Sequence, residues 1–280
     1  MKKYIVTLVV LGCFLVTAQD FQGKAEYFTK KILNKKVEKI QSDRAEPLDP
    51  EFEKLVQEAL KKATEKKYVL TFNKTECLYE QEQELQKPEA TSNGMSISFS
   101  FSGSGKKYFN LKDKKNISED EIFGKEFLII EPLAPLNWKL MDETKKIGEY
   151  TCFKAELIRP VSEKQKQEYE EFLKKEEAKP ALFKMQKPEA KVVTAWYTAE
   201  IPVSFGPNNY WGLPGLILEV NDGESILLCS KVSLSNKEKT KIKVPSTGKK
   251  VSQEEFDTIE KAKTDSMKDE DGNVIFQTHQ

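Results

Sequence analysis

The chain has 280 residues, of which 45 are Lys or Arg, 45 are Asp or Glu and one is His, the penultimate His279. Balanced charge leaves no net positive field to neutralise phosphates, which argues against a non-specific nucleic-acid binder, and a lone histidine at the terminus nearly excludes histidine-based catalysis. Sixteen Phe, nine Tyr and three Trp supply enough large apolar surface for a core, although 32% of residues are charged.

Residues 1–18 read as a signal peptide, with Lys2 and Lys3 as the charged start, Ile5 to Val16 as the apolar stretch and Val16-Thr17-Ala18 as the small-residue exit. The apolar run is shorter than the roughly 20 residues needed to span a bilayer, and no second candidate follows. The expectation is an exported protein, periplasmic or secreted, with no integral membrane segment after cleavage. Cys13 invites lipoprotein processing, but a cut there would put Phe14, Leu15 and Val16 on the mature terminus. Loss of the two signal lysines leaves a slight negative excess, so attachment to anionic lipid by charge is not expected.

Period-two alternation dominates residues 19–280, with turn residues between successive runs, as in an antiparallel meander. Strands are expected at Gly23 to Ile32, Tyr68 to Tyr79, Met95 to Ser102, Lys107 to Leu111, Glu126 to Pro132 and Asn137 to Leu140. They continue at Tyr150 to Ile158, Val192 to Pro202, Leu216 to Asn221, Ser225 to Leu234 and Lys241 to Val244. Gly103-Ser104-Gly105 and Asn221-Asp222-Gly223 mark hairpin turns.

Three helices interrupt the strands. The first starts at Asp49-Pro50 and runs to about Lys66, with Phe52, Leu55, Val56, Ala59, Leu60 and Ala63 on one face to lie on a sheet. The second, Ser162 to Ala178, opens on a Ser162/Gln165 capping box and carries few apolar residues, so it reads as a projecting charged insert at about 161–180. The third, Ser252 to about Met267, reads as an ordinary surface helix. No repeat or linker divides the chain, and a single domain is expected: mainly β, one strongly curved antiparallel sheet or half-barrel.

The mature chain keeps Cys77, Cys152 and Cys229. Export permits a disulfide without requiring one; Cys152 and Cys229 fall on the less apolar faces of their strands and are the candidate pair, the alternative being that all three are small buried fillers. No CxxC motif or histidine partner exists, so no metal or redox site is expected. Asn73-Lys74-Thr75 and Asn116-Ile117-Ser118 match glycan acceptors and read as accidental.

The strand ending at Pro202 is followed by thirteen residues, Val203 to Gly215, too many for a tight hairpin. Pro214-Gly215 fits the centre of a type II turn, with Gly215 at positive φ, and Gly206-Pro207-Asn208 makes another bend. Between them lie Tyr210 and Trp211. Such a loop either plugs one end of the sheet core or displays an apolar surface built from Phe205, Tyr210, Trp211 and Leu213. Plugging is the more economical use.

Gly212-Leu213-Pro214-Gly215-Leu216-Ile217 spells the motif for which the GLPGLI family is named, and the chain resembles that family. Ala195-Trp196-Tyr197-Thr198, Ile201-Pro202-Val203 and Gly206-Pro207 upstream, and Leu218-Glu219-Val220 downstream, fit it. Lys146 to Ala155 looks like its strand motif, with Glu149 inserted into the usual Gly-Tyr pair; Leu228 to Lys231 and Val251 to Phe256 also look familial. The likeness extends over essentially the whole mature chain and implies an exported protein of Bacteroidota-type bacteria, with no catalytic residue or cofactor to carry over.

Enzyme chemistry needs a tuned acid, base or nucleophile held in a pocket, and the carboxylates here lie on solvated helices or in a polar tail. No nucleophile elbow or phosphate loop is present, so a non-enzymatic role without cofactor is expected. The leading expectation is a carrier or binding module: a curved sheet, with the first helix against its concave side, enclosing an apolar groove for a small molecule or lipid. It resembles periplasmic lipoprotein carriers by analogy of fold. The competing expectation is an envelope protein that docks on a partner, for example an outer-membrane transporter, through the 203–215 loop.

Overall fold

The computed structural model describes residues 21–32, 54, 57–59, 61, 64–82, 105–178, 187–235 and 241–266, with residues 168 and 175–178 as backbone. The N-terminal half holds β1 (Gln22–Lys31), β2 (Glu65–Phe72), β3 (Glu76–Gln81), β4 (Lys107–Asn110), β5 (Lys115–Ile122) and β6 (Lys125–Pro132). Then come β7 (Lys139–Ile147), β8 (Tyr150–Arg159), α1 (Glu163–Ala178), β9 (Lys191–Thr198), β10 (Leu216–Asn221), β11 (Ser225–Ser235), β12 (Lys249–Val251) and α2 (Gln253–Asp265). Lys54, Gln57, Glu58, Ala59, Lys61 and Thr64 are also helical, just ahead of β2. Among the described residues, no helix is long and apolar enough to cross a membrane.

The twelve strands among the described residues join one curled sheet in the order β12-β6-β5-β4-β3-β2-β1-β11-β10-β9-β8-β7. Two antiparallel meanders, β2 to β6 and β7 to β11, meet at β1, which pairs with β2 on one side and β11 on the other. Among the described strands β12 alone is parallel to its neighbour, placing Lys249 opposite Phe127 and Val251 opposite Ile129. The mainly β, single-sheet expectation is what the structure has.

Alternation selects the inward face. Ala25 lies opposite Leu70, Leu70 opposite Tyr79, Cys77 opposite Phe109 and Tyr27 opposite Cys229. These side chains are buried and belong to one apolar cluster. Ala155, Val193, Ala195, Val220 and Leu227 form a second apolar cluster along β8 to β11. A third cluster sits at the β6 edge, where Phe256 of α2 meets Phe127 edge-on at 5.5 Å between ring centres and packs with Ile122, Ile129 and Val251. The helix is therefore a cover for the sheet edge, not an ordinary surface helix. Its start is fixed by a complete capping box between Ser252 and Glu255.

Several expected elements change. Tyr68 to Tyr79 is two strands, because the Asn73 side-chain carbonyl accepts from the backbone N–H groups of Thr75 and Glu76 at 2.8 and 2.9 Å and turns the chain. β5 and most of β7 are strands of charged sequence, Lys-Asn-Ile-Ser-Glu-Asp-Glu-Ile and Lys-Leu-Met-Asp-Glu-Thr-Lys-Lys-Ile, which alternation of apolar residues does not reveal. The capping box of α1 forms as expected, with Gln165 N–H donating to Ser162 Oγ at 3.2 Å. The helix does not simply project: Lys164 meets Glu260 at 3.3 Å and Lys261 meets Glu171 at 2.8 Å, joining α1 to α2 through exposed pairs of small energetic weight. Met95 to Ser102, residues 1–20 and most of the Asp49 to Lys66 helix lie outside the described residues.

Because Phe256 is the buried anchor of α2, Phe256→Ala should lower unfolding stability by about 3 kcal/mol. Glu254→Ala, on the exposed side of the same turn, should cost less than about 0.5 kcal/mol in the same urea titration.

Candidate functional site

The connection from β9 to β10, residues 199–215, folds back over the inward face of the sheet. Ile201, Val203 and Phe205 enter the cluster that contains Ala25, Leu70 and Phe72, while Tyr210 and Leu213 enter the one beneath β8 to β10. All five are at most 2% exposed. The backbone is tied down at both ends: Leu216 N–H donates to Ile201 O at 3.0 Å, Ile217 N–H to Phe205 O at 3.0 Å and Gly212 N–H to Ser204 O at 2.9 Å. From β1, the strand that joins the two meanders, the buried Tyr27 hydroxyl donates to Ile217 O at 2.6 Å. Trp211 is half-buried, and its carbonyl accepts from Trp138 Nε1 at 2.8 Å.

The glycines of the loop act differently from the turn expected at Pro214-Gly215. Gly215 has no positive φ; a Cβ there would stand 2.1 Å from the Thr198 carbonyl oxygen, so contact with β9 forbids any side chain. At Gly206 a Cβ would stand 2.7 Å from Ile217 Cβ. The positive φ falls at Gly212, at +93°, and at Asn208, at +55°, which closes the expected Gly206-Pro207-Asn208 bend.

The loop tip ends in a polar chain between the two meanders. Lys107 of β4 donates from Nζ to Asn208 Oδ1 at 2.6 Å. Arg159 at the end of β8 stacks its guanidinium 4.7 Å from the centre of the Tyr210 ring, whose hydroxyl donates to Asp222 Oδ2 at 3.0 Å. Burial pushes the Lys107 ammonium pKa down to about 8; nearby Arg159 lowers it further and Asp120 opposes the shift.

The three thiols are free and buried, so the Cys152–Cys229 bridge is not formed and the filler alternative is the one observed. Both belong to the main apolar cluster, not to a less apolar surface. Burial pushes Cys152 up to about 11 and Cys229 up to about 12. Among the described residues no group of His, Cys, Asp or Glu is arranged to hold a metal ion.

A cleft lies on the outer face of the sheet, where alternation expected only solvent. Residues 241–247 cross it as an extended strap, not as the expected Lys241 to Val244 strand, and among the described residues the strap makes no backbone ladder. Pro245 is buried beneath it, and Gly248, at φ +107°, turns the chain into β12. The cleft, of about 260 Å³, has Lys24, Thr71, Leu78 and Glu80 on its floor, Lys106 and Glu119 on its wall and the strap as its roof. Reading the strap as a strand concealed this feature; the Val244-Pro245 pair was the available signal, since proline cannot donate to a ladder.

The fold and this loop define a class: a single curled sheet whose inward face is filled by its own glycine-proline connection. Within it, the family described as "Protein of unknown function (Porph_ging)" matches residues 138–219, the stretch from Trp138 through the loop to Glu219, and this is consistent with the motif resemblance over part of the chain. No curated protein matches the chain. Among solved structures, PNGF-II in its C2 and P21 crystal forms aligns at 12% identity and TM-score 0.45, covering 87% of this chain and 33% and 34% of theirs. This chain thus spans about a third of the PNGF-II chain. The Mycobacterium tuberculosis lipoprotein LppX aligns at 9% identity and TM-score 0.23 over 78% of this chain and 86% of its own. These overlaps are too loose to bear on function.

Two outcomes test the geometry. Gly215→Ala should destabilise by about 3 kcal/mol or more, since backbone on β9 must move, and Gly212→Ala by about 1 kcal/mol from strained φ alone. For Lys107, the unfolded chain binds the proton more tightly than the folded one, so its contribution to stability rises with pH from about 8 to the ordinary lysine value of about 10.5. Subtracting the denaturation free energy of Lys107→Gln from that of the wild type at each pH should give a difference that climbs over this window; a flat difference would show an unshifted lysine.

Proposed function

We propose that the protein is an exported, non-enzymatic binding protein of the bacterial envelope, and that its ligand is held in the cleft on the outside of the sheet. The observation that carries this reading is the cleft itself. It is a cavity of about 260 Å³ with a buried hydroxyl at Thr71, apolar contact at Leu78 and a roof not fixed by a ladder. Ligand sites combine these features, concavity with a few convergent polar groups on a preformed floor, and the volume lies just under the usual range of about 300 to 1,000 Å³, which suits a small molecule.

An apolar ligand or lipid in the inward groove competes with the chain's own loop. Admitting it means withdrawing Ile201, Val203, Phe205, Tyr210 and Leu213, each buried. At roughly 1.5 to 3 kcal/mol of burial per side chain, the loss rivals the whole stability of about 5 to 15 kcal/mol of a typical domain. Docking of an envelope protein on the loop meets the same obstacle, because Phe205, Tyr210 and Leu213 are inside and only Trp211 retains partial exposure.

Thr71→Trp fills the cleft from its floor and leaves the inward cluster alone. Mature protein and this variant, both recovered from the envelope under native conditions, should differ in native mass spectrometry: a bound small molecule on the first and none on the second. A long-chain lipid retained equally by both would favour the inward groove and defeat the outer-cleft assignment.

A further inference from the structure

We propose that the outer cleft is selective for a small organic anion bearing carboxylate or phosphate groups; this rests on the reading of the cleft as the ligand site and adds the chemical class of the ligand. The chain as a whole is charge-balanced, with 45 basic and 45 acidic residues. The cleft is not: Lys24, Lys106, Lys241 and Lys243 line it against Glu80 and Glu119. Lys106 is engaged with Glu119 at 3.8 Å. That leaves Lys24 on the floor and Lys241 and Lys243 on the roof facing one remaining carboxylate, an excess of positive charge distributed on both sides of the cavity.

Placement on opposing elements distinguishes this cluster from a row of solvated lysines. Lys24 belongs to β1, central in the sheet, whereas Lys241 and Lys243 belong to the strap. An anion seated between them bridges roof and floor. The hydroxyls of Thr71, Ser246 and Thr247 lie in the same lining and can donate to oxyanions. Leu78 and Pro245, also in the lining, give a short apolar body something to lie against. The cavity volume of about 260 Å³ sets the size of the guest: larger than an inorganic ion, smaller than a lipid or a folded peptide.

The test uses ¹⁵N-labelled mature protein titrated separately with citrate, with pyrophosphate and with a mixture of neutral organic fragments. Amide shifts of Lys24, Thr71, Leu78, residues 241–244, Ser246 and Thr247 are followed. Citrate or pyrophosphate should move these amides saturably, and the affinity should fall about tenfold or more as sodium chloride is raised from about 50 to about 500 mM. The stronger of the two arms identifies carboxylate or phosphate as the preferred group. Lys24→Gln combined with Lys243→Gln should weaken binding at least about tenfold, while Lys112→Gln with Lys114→Gln, a control pair in the β4–β5 turn, should leave it unchanged. Equal weakening by both pairs would mean a diffuse surface effect and would overturn the proposal. Cleft amides that respond to neutral fragments and not to either anion would overturn the anionic class and leave the binding reading standing. No response to any probe would remove both.

Discussion

The architecture depends on the approach of one connection to the sheet that it joins. Residues 199–215 lie against β9 and β10 so closely that Gly206 and Gly215 have no room for a Cβ, and that closeness drives Ile201, Val203 and Phe205 into the inward face. A curled sheet of this kind has a concave side that must hold something apolar, whether ligand, helix or loop. Here the chain supplies the filling itself. The Tyr27 hydroxyl bond to Ile217 O then links the filling to the strand that holds the two meanders together.

The position of β1 matters for the same reason. It is the first strand in sequence yet sits in the middle of the sheet, paired with β2 over residues 23–30 and with β11 over its whole length. Neither meander can complete the inward cluster alone, since Leu70, Phe72 and Phe109 come from one and Leu216, Leu218 and Cys229 from the other. Sheet closure is therefore non-local and requires the final third of the chain, a topology associated with slow folding.

Much of this was legible in the sequence, and the failures have identifiable causes. Strands with one buried face, such as β1, β8, β9 and β11, announce themselves by alternation; β5 and β7 do not, because their residues, Ile122 at the end of β5 excepted, are half-buried or exposed on both faces. The loop's plugging role followed from its glycine, proline and aromatic content, but which glycine needs positive φ and which needs empty space depends on distance to Thr198 and Ile217, a tertiary fact. Tyr68 to Tyr79 reads as one continuous strand, with the glycan-acceptor match at Asn73 accidental, whereas the Asn73 side chain makes a turn inside it. The outer cleft was invisible because its lysines come from β1, the residue just ahead of β4 and a strap more than 130 residues distant from either, a juxtaposition that no window along the chain contains.

The sulfur chemistry of the interior bears on the proposed export, which would place the protein in an oxidising compartment. Thiolate, not thiol, attacks disulfides, and burial holds Cys77, Cys152 and Cys229 in the protonated form. The native molecule is thus shielded from oxidation by its own packing, without a bridge to defend it. A copy that fails to close loses that shield at all three positions at once. Oxidative cross-linking then becomes a tag of misfolding, separating incomplete molecules from finished ones by redox state alone.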